Sequence, residues 1–387
     1  MRFLFFLLLC TQITYSQNQL QAVLLDSTTK APIEFADVYN HYNYTTSNAD
    51  GSFMFTSESD SVFIKRLGYK PLRSTFNELQ NKKIIFLTEE TIALDEVVLT
   101  SEKSIFDYIK DSLISNYPFS PYEERFTLRA LLKKNDTILK LEDLSGKVKR
   151  QQLLASKSNP MPKRNYEIEL LNMRKAGIKE DGIDFMLNDF HEIFQWFVSI
   201  AFDKEYFDMH SSNINDSLVK YEIKIKDSIA QHSSISSIGS YIVNSEDKAI
   251  MEAMREMKIP NAEFEKSGPY RYRTIYFRIH SFFEKGKKPY YYLKNSKLNL
   301  TAEVINNKTQ HKDIYDCTYI LTTHDNFKEL NTQKNASVKK DIFRLKYPYN
   351  PDFWEKQNQL LLTNEMLDFL STVNAKDNEY RAISNLK

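Results

Sequence analysis

Glycine is scarce in this sequence, at 8 of 387 residues, and cysteine scarcer, at 2. Cys10 falls in an N-terminal apolar run, and Cys317 has no partner once that run is removed, so no internal disulfide is open to the chain. Charge of one sign is lacking too: the formal net charge is +1, without the field that nucleic-acid binding needs. Beyond the N-terminus there is no long apolar run. The most apolar segment, Phe185 to Phe202, is broken by Asn188, Asp189, His191 and Glu192, so no transmembrane span is expected in the mature chain. Gly177 and Gly182 have the spacing of a phosphate loop, but Ile183-Asp184 follow where Lys-Ser/Thr must reach phosphate and metal. No two glycines frame a serine as a nucleophile elbow requires.

What is present begins with an export signal. Arg2 supplies a positive charge, Phe3 to Cys10 is unbroken apolar sequence, and Thr14 and Ser16 stand at −3 and −1 of a cut before Gln17. Leu9 precedes Cys10 where a lipoprotein signal wants Gly, Ala or Ser, so residues 1–16 read as a cleaved signal peptide without lipidation. The protein is expected in the periplasm or associated with the outer membrane.

Hydrophobic residues make up 42% of the chain, with 23 Tyr and 26 Phe, enough for real cores and leaning toward β structure. Between residues 20 and 99, short alternating runs (Leu20 to Leu25, Ile33 to Tyr39, Gly51 to Thr56, Ser61 to Leu67, Lys83 to Leu87) are separated by turn residues. That spacing argues a β-sandwich. Within it stand Asp26, Pro32-Ile33, Phe35-Ala36, Val38, Ser47-Asn48, Asp50-Gly51, Phe53, Leu67-Gly68-Tyr69, Leu87 and Leu94-Asp95-Glu96-Val97-Val98. In that order they resemble the carboxypeptidase regulatory-like domain of exported proteins of Gram-negative bacteria. The usual early glycine is replaced near Ala22. The resemblance covers about 80 residues and implies a seven-stranded, transthyretin-like sandwich over 17–100. Such a module accompanies enzymes, TonB-dependent receptors and proteins of unknown role.

The family's name raises zinc carboxypeptidase chemistry, which needs a His and a Glu three residues apart. None of the seven His has Glu at that spacing. His191-Glu192 resembles the start of a zincin helix, but Gln195 stands where the second His belongs. His210, near Asp203, Glu205 and Asp208, reads as a solvated charge group, and Cys317, inside Ile314 to Leu321, as a buried thiol. No catalytic residue, metal or cofactor is expected.

Ile105, Ile109 and Leu113 repeat every four residues up to Pro118 and predict a linker helix within 101–118. Residues 119–387 predict an antiparallel sheet with inserted helices, so the whole chain reads as mainly β, or α+β. Expected strands include Phe126 to Leu132, Val219 to Ile225, Ile275 to Ile279, Tyr290 to Tyr292, Ile314 to Leu321 and Ile342 to Tyr347. Expected helices are one near 190, with Met186, Phe190, Ile193, Phe194 and Phe197 on one face, one over Glu246 to Met257, and one over Asn364 to Thr372. The arrangement loosely resembles envelope proteins that pair the same module with a second β-rich region. In longer relatives a barrel follows, and none is expected before Lys387.

One constellation suggests a ligand or partner face. Tyr272, Tyr276 and Arg278 share one side of a predicted strand, and Tyr291 and Tyr292 follow a turn at Gly286. Amphipathic aromatics beside cations stack on sugars or peptide groups. The plainer account is a hairpin with both faces partly buried. Three functions stay open: a non-catalytic envelope scaffold or binding protein; a glycan- or peptide-binding component of an uptake system; and a hydrolase whose carboxylates meet only in space. The partner would be an envelope protein or glycan.

Overall fold

The computed structural model describes residues 18–90, 104–156, 158–180, 185–233, 235–286, 289–324, 331–356, 360–376 and 382–386. They form two compact units. The first takes the described residues of Met1–Thr91 with those of Pro351–Leu367, and the second those of Ile92–Asn350 and Asp368–Lys387.

The first unit holds seven strands: β1 (Asn18–Asp26), β2 (Asp37–Tyr39), β3 (Tyr44–Thr46), β4 (Ser52–Ser57), β5 (Ser61–Lys65), β6 (Leu72–Thr75) and β7 (Ile84–Leu87). Helix α1 (Phe76–Leu79) lies between the last two. One sheet runs β4-β1-β7 and the other β3-β2-β5-β6. Alternation along each strand turns Leu20, Ala22, Leu24, Phe53, Phe55, Val38, Val62 and Ile64 into a shared core.

The residues that carry the family resemblance build turns. Asn48 accepts the Asp50 and Ser52 amides on its side-chain oxygen at 3.0 and 2.9 Å. Gly51 follows at φ +74°, and a Cβ there would lie 2.4 Å from the Leu24 carbonyl oxygen, so both dihedral and space require glycine. Ser47 Oγ accepts the Ala36 amide and donates to the Ile33 carbonyl, which keeps Ile33 to Ala36 out of the ladder and shortens the expected strand to β2. Leu94 to Val98 lie outside the described residues.

The second unit is built on a twelve-stranded sheet in which every pairing is antiparallel. Helix α2 (Ile105–Asn116) leads into β8 (Tyr122–Lys134), β9 (Thr137–Arg150) and β10 (Tyr166–Ile178). After α3 (Phe190–Trp196) come β11 (Phe207–Asn215), β12 (Leu218–Ile225), α4 (Asp227–Ser233), β13 (Ser236–Asn244) and β14 (Ile250–Lys258). Then follow β15 (Glu265–Ser267), β16 (Tyr270–Lys285), β17 (Tyr291–Asn306) and β18 (Lys312–His324). Helices α5 (Pro351–Lys356) and α6 (Asn364–Lys376) and strand β19 (Ala382–Ser384) complete the chain. The sheet order is β11-β12-β13-β14-β16-β17-β18-β8-β9-β10-β19, with β15 on β16. Helix α3, capped by Asp189 accepting the Glu192 amide at 2.9 Å, packs Phe190 and Phe194 on Phe126 of the inner face.

Several expectations need correction. Glu246 to Met257 contains strand β14 rather than a helix. Its Ala, Met, Glu and Lys favour a helix locally, but pairing with β13 and β16 on both sides overrides that preference. The charges that would have coated a helix become cross-strand partners: Glu252 meets His280 at 2.6 Å, and Glu256 stands opposite Arg278. Ile342 to Tyr347 is not a strand. Asp341 accepts the Phe343 amide and caps a 3-10 turn over Ile342–Arg344, while Lys175 takes the carbonyls of Phe343 and Leu345. Met186 lies before α3 and is exposed. The linker helix, as α2, buries Ile105 and Ile109 in the core of the second unit. Pro351–Leu367 groups with the sandwich, where Asn48 donates to the Leu361 and Leu362 carbonyls at 3.3 and 3.4 Å.

Candidate functional site: a cationic cleft

The five residues expected to form a recognition face do not come together. In the β16/β17 hairpin, Tyr291 and Tyr292 stand next to the turn, opposite Lys285 and Glu284. Tyr272 and Tyr276 lie toward the far end, opposite Val304 and Thr301. Nine residues of strand between Tyr276 and Lys285 amount to roughly 30 Å. Burial separates them as well. Tyr291 is 3% exposed, its hydroxyl donating to Asp247 at 3.0 Å and its ring near Tyr117. Tyr292 is 2% exposed and packs edge-on against Tyr122 at 5.2 Å. Tyr272 and Tyr276 are half-buried, and the Tyr272 hydroxyl donates to Glu265 at 2.7 Å. Arg278 is exposed and faces Glu256 at 3.9 Å. The correction has a simple cause: aromatic rings flanking a hairpin turn cover the end of the core, which a strand-by-strand reading does not reveal.

A different place gathers chemistry. Between β9 and β10 the chain passes through Asn159-Pro160-Met161-Pro162-Lys163-Arg164, where two prolines forbid ladder pairing. Asn165 pins the end of this loop: its side chain accepts the Gln151 and Gln152 amides at 3.2 and 3.0 Å and donates to the Gln152 carbonyl at 3.0 Å. A second segment, 333–342, straps the outer edge of β10. Asn335 imitates a strand there, accepting the Leu170 amide at 2.7 Å and donating to the Leu170 carbonyl at 2.9 Å. Ala336 bridges to Ile168, and the His191 amide at the start of α3 donates to Val338 at 3.0 Å.

Loop, strap and helix start enclose a cleft of about 560 Å³ whose wall includes Lys163, Arg164, Tyr166, His191, Lys334 and Lys339. Among the described residues its one carboxylate is Glu167. The four basic side chains make no ion pair, hydrogen bond or ring contact among the described residues, so their charge is open to a ligand. Tyr166 is buried, with its ring against His191 at 5.9 Å.

No family model and no curated protein matches this chain. Among solved structures it is similar to a protein of unknown function from Bacteroides fragilis NCTC 9343, at 8% identity over 80% of this chain and 98% of that one, with a TM-score of 0.16. Likeness at that level carries no argument about fold or function.

Behind Tyr166, the inner face holds a buried ion pair: Arg150 Nε donates to Glu124 Oε1 at 2.6 Å, with the two side chains 1% and 0% exposed. The guanidinium lies over the rings of Phe194 and Tyr166, at 4.6 and 5.4 Å. Burial pushes Glu124 above the usual carboxylate range even against the pull of Arg150.

Two adjacent residues of β9 show how hydrogen bonding decides a carboxyl's charge. Asp143 is buried on the outer face. Burial pushes its pKa up, but Arg129 at 2.7 Å and Arg174 outweigh that and hold it below the usual range. Glu142 points to the inner face, is fully buried, and has no hydrogen-bond partner on either oxygen among the described residues. There burial prevails and pushes it up to about 8. Cys317 lies on the same inner face, opposite Leu132 and Leu300, and burial pushes its thiol up to about 12, so it is no nucleophile at neutral pH.

Sequence reasoning did not find the cleft. Its cations come as Lys163-Arg164 and as Lys334 and Lys339, about 170 residues apart, and only the strap along β10 brings them together. The Lys163-Arg164 doublet after two prolines was the one local signal.

Proposed function

We propose that this chain is an exported, non-catalytic binding protein of the cell envelope whose cleft receives a small anionic group, a phosphate or carboxylate borne on an envelope glycan. The observation that carries the reading is the set of four unpaired cations around a cleft of about 560 Å³, a volume within the range of small-ligand sites. His191, only partly buried, adds a flat ring to the wall against which a sugar can rest. Glu167 is the one carboxylate among the described lining residues, whereas a glycoside hydrolase needs a pair, which favours binding over hydrolysis.

Two measurements test the two halves of the proposal. Mass spectrometry of the protein recovered from cells should show a chain beginning at Gln17 without lipid, and an intact Met1 would refute export. Calorimetric titration should show tripolyphosphate or an oligogalacturonate binding the purified protein, with affinity falling steeply as salt rises. Lys163→Glu with Lys339→Glu should weaken binding at least tenfold and leave the unfolding midpoint unchanged, because both side chains are exposed. Equal binding by the double variant, or none by the wild type, would remove the cleft from consideration.

A further inference from the structure

We propose that Glu142 and Lys175 form a proton-operated latch on the segment that continues the cleft wall, residues 341–345. The idea goes beyond the binding reading and does not depend on what the cleft holds.

Lys175 of β10 stands directly across the ladder from Glu142 of β9, on the inner face. In such a pair the side chains are about 5 Å apart at Cβ, close enough to join. They are not joined. Lys175 Nζ donates instead to the carbonyls of Phe343 and Leu345, at 2.8 and 2.6 Å, and lies near the Phe343 ring at 5.3 Å. Both Glu142 oxygens are buried without a hydrogen-bond partner among the described residues. The lysine therefore holds the 341–345 segment at the expense of the carboxyl beside it.

The surroundings leave Glu142 few other routes to a partner. On its own strand Lys140 donates to the Phe185 carbonyl at 2.6 Å, and Asp143 points to the opposite face, bound by Arg129 and Arg174. Across β8 stands Ala130. From β18 the inner face presents Cys317 and Tyr319, the latter donating to Asn188 at 2.8 Å. The 341–345 segment itself contributes Asp341, whose charge opposes ionisation of Glu142, and Lys340 and Lys346 flank it. Burial likewise lowers the pKa of Lys175.

The consequence follows from the cost of an unpaired buried charge. A neutral Glu142 can remain as it is, whereas an ionised one must recruit a cation. Lys175 is the cation opposite. When it turns to Glu142, the Phe343 and Leu345 carbonyls lose their donor and the segment must open to water to satisfy them. Acid keeps the latch closed and alkali opens it. Because 341–345 continues from Lys334 and Lys339, opening loosens one wall of the cleft.

Hydrogen exchange on the full mature protein, with protection corrected for intrinsic rates, tests this. The Ile342, Arg344 and Leu345 amides, bonded to Asn188, Asp341 and Ile342, are the reporters. Their protection should fall at least tenfold between pH 6 and pH 9, while amides of β16 and β17 stay protected. Glu142→Gln should abolish the fall, and Lys175→Met should show low protection already at pH 6. A flat wild-type profile overturns the latch. So does a fall that survives Glu142→Gln, or a loss shared in step by β16 and β17.

Discussion

Arg150→Met is expected to destabilise the second unit by about 3–5 kcal/mol at neutral pH, measured by urea unfolding. Arg150 is one of the largest fully buried side chains among the described residues, and its only charge partner at hydrogen-bond distance among them is Glu124, 0% exposed. Methionine fills much of the space but leaves the carboxyl buried without its hydrogen-bonded cation. Among the described residues Glu124 Oε2 and the Tyr122 hydroxyl lack hydrogen-bond partners, and a neutral hydroxyl there can donate to the carboxylate but cannot replace the lost charge.

The pH dependence has a definite sign. The folded-state pKa of Glu124 lies above its unfolded value near 4.5, so the folded state keeps the proton longer and stability falls as pH rises from about 4.5 through the folded pKa. Removing Arg150 takes away the pull that opposes burial and raises that pKa further. The deficit of Arg150→Met should therefore shrink toward pH 4.5 and widen above it. Glu124→Gln combined with Arg150→Met should recover most of the loss, because it removes the orphaned charge. A loss below about 1 kcal/mol in the single variant would mean that water reaches the pair.

Where sequence reading succeeded, the signal was local. Alternation along Leu20, Ala22 and Leu24, and the turn at Asp50-Gly51, depend on near neighbours, and a β-sandwich follows from them; the count of seven strands is what the family resemblance implies. The helix at 190 was legible for the same reason: Phe190, Ile193 and Phe194 repeat at helical spacing, although Met186 falls before it. Reading failed where distant pairing decides. Ile250 to Met257 carries a helix-forming composition, and only β13 and β16 make it a strand. The 3-10 turn at Ile342 exists because Lys175, almost 170 residues earlier, takes its carbonyls. The cleft is of the same kind. Asn335 reaches Leu170 from 165 positions away, and without that strap Lys334 and Lys339 are two surface lysines among many.

The second large effect concerns the tyrosines first read as a binding face. Tyr291→Ala with Tyr292→Ala should cost more than either single change. Each removes a large buried aromatic, worth roughly 3–5 kcal/mol in a core. Tyr291 also gives up its bond to Asp247 and its place beside Tyr117, and Tyr292 its edge contact with Tyr122. Domains commonly have only about 5–15 kcal/mol in hand, so the double variant should be largely unfolded at room temperature. Tyr291→Phe separates ring from hydroxyl and should cost only about 1 kcal/mol, the worth of one hydrogen bond. Tyr272→Ala supplies the contrast: its ring is half-buried at the far end of the hairpin, and its loss should move the midpoint much less. Urea midpoints for these five variants, the two single alanine changes, their double, Tyr291→Phe and Tyr272→Ala, distinguish the two roles. If Tyr291→Ala and Tyr292→Ala unfold at the wild-type midpoint, the rings are exposed after all, and the turn end of the hairpin returns as a candidate contact surface. If they collapse while Tyr272→Ala does not, these tyrosines close the core beside the turn, and recognition has to be sought at the cleft.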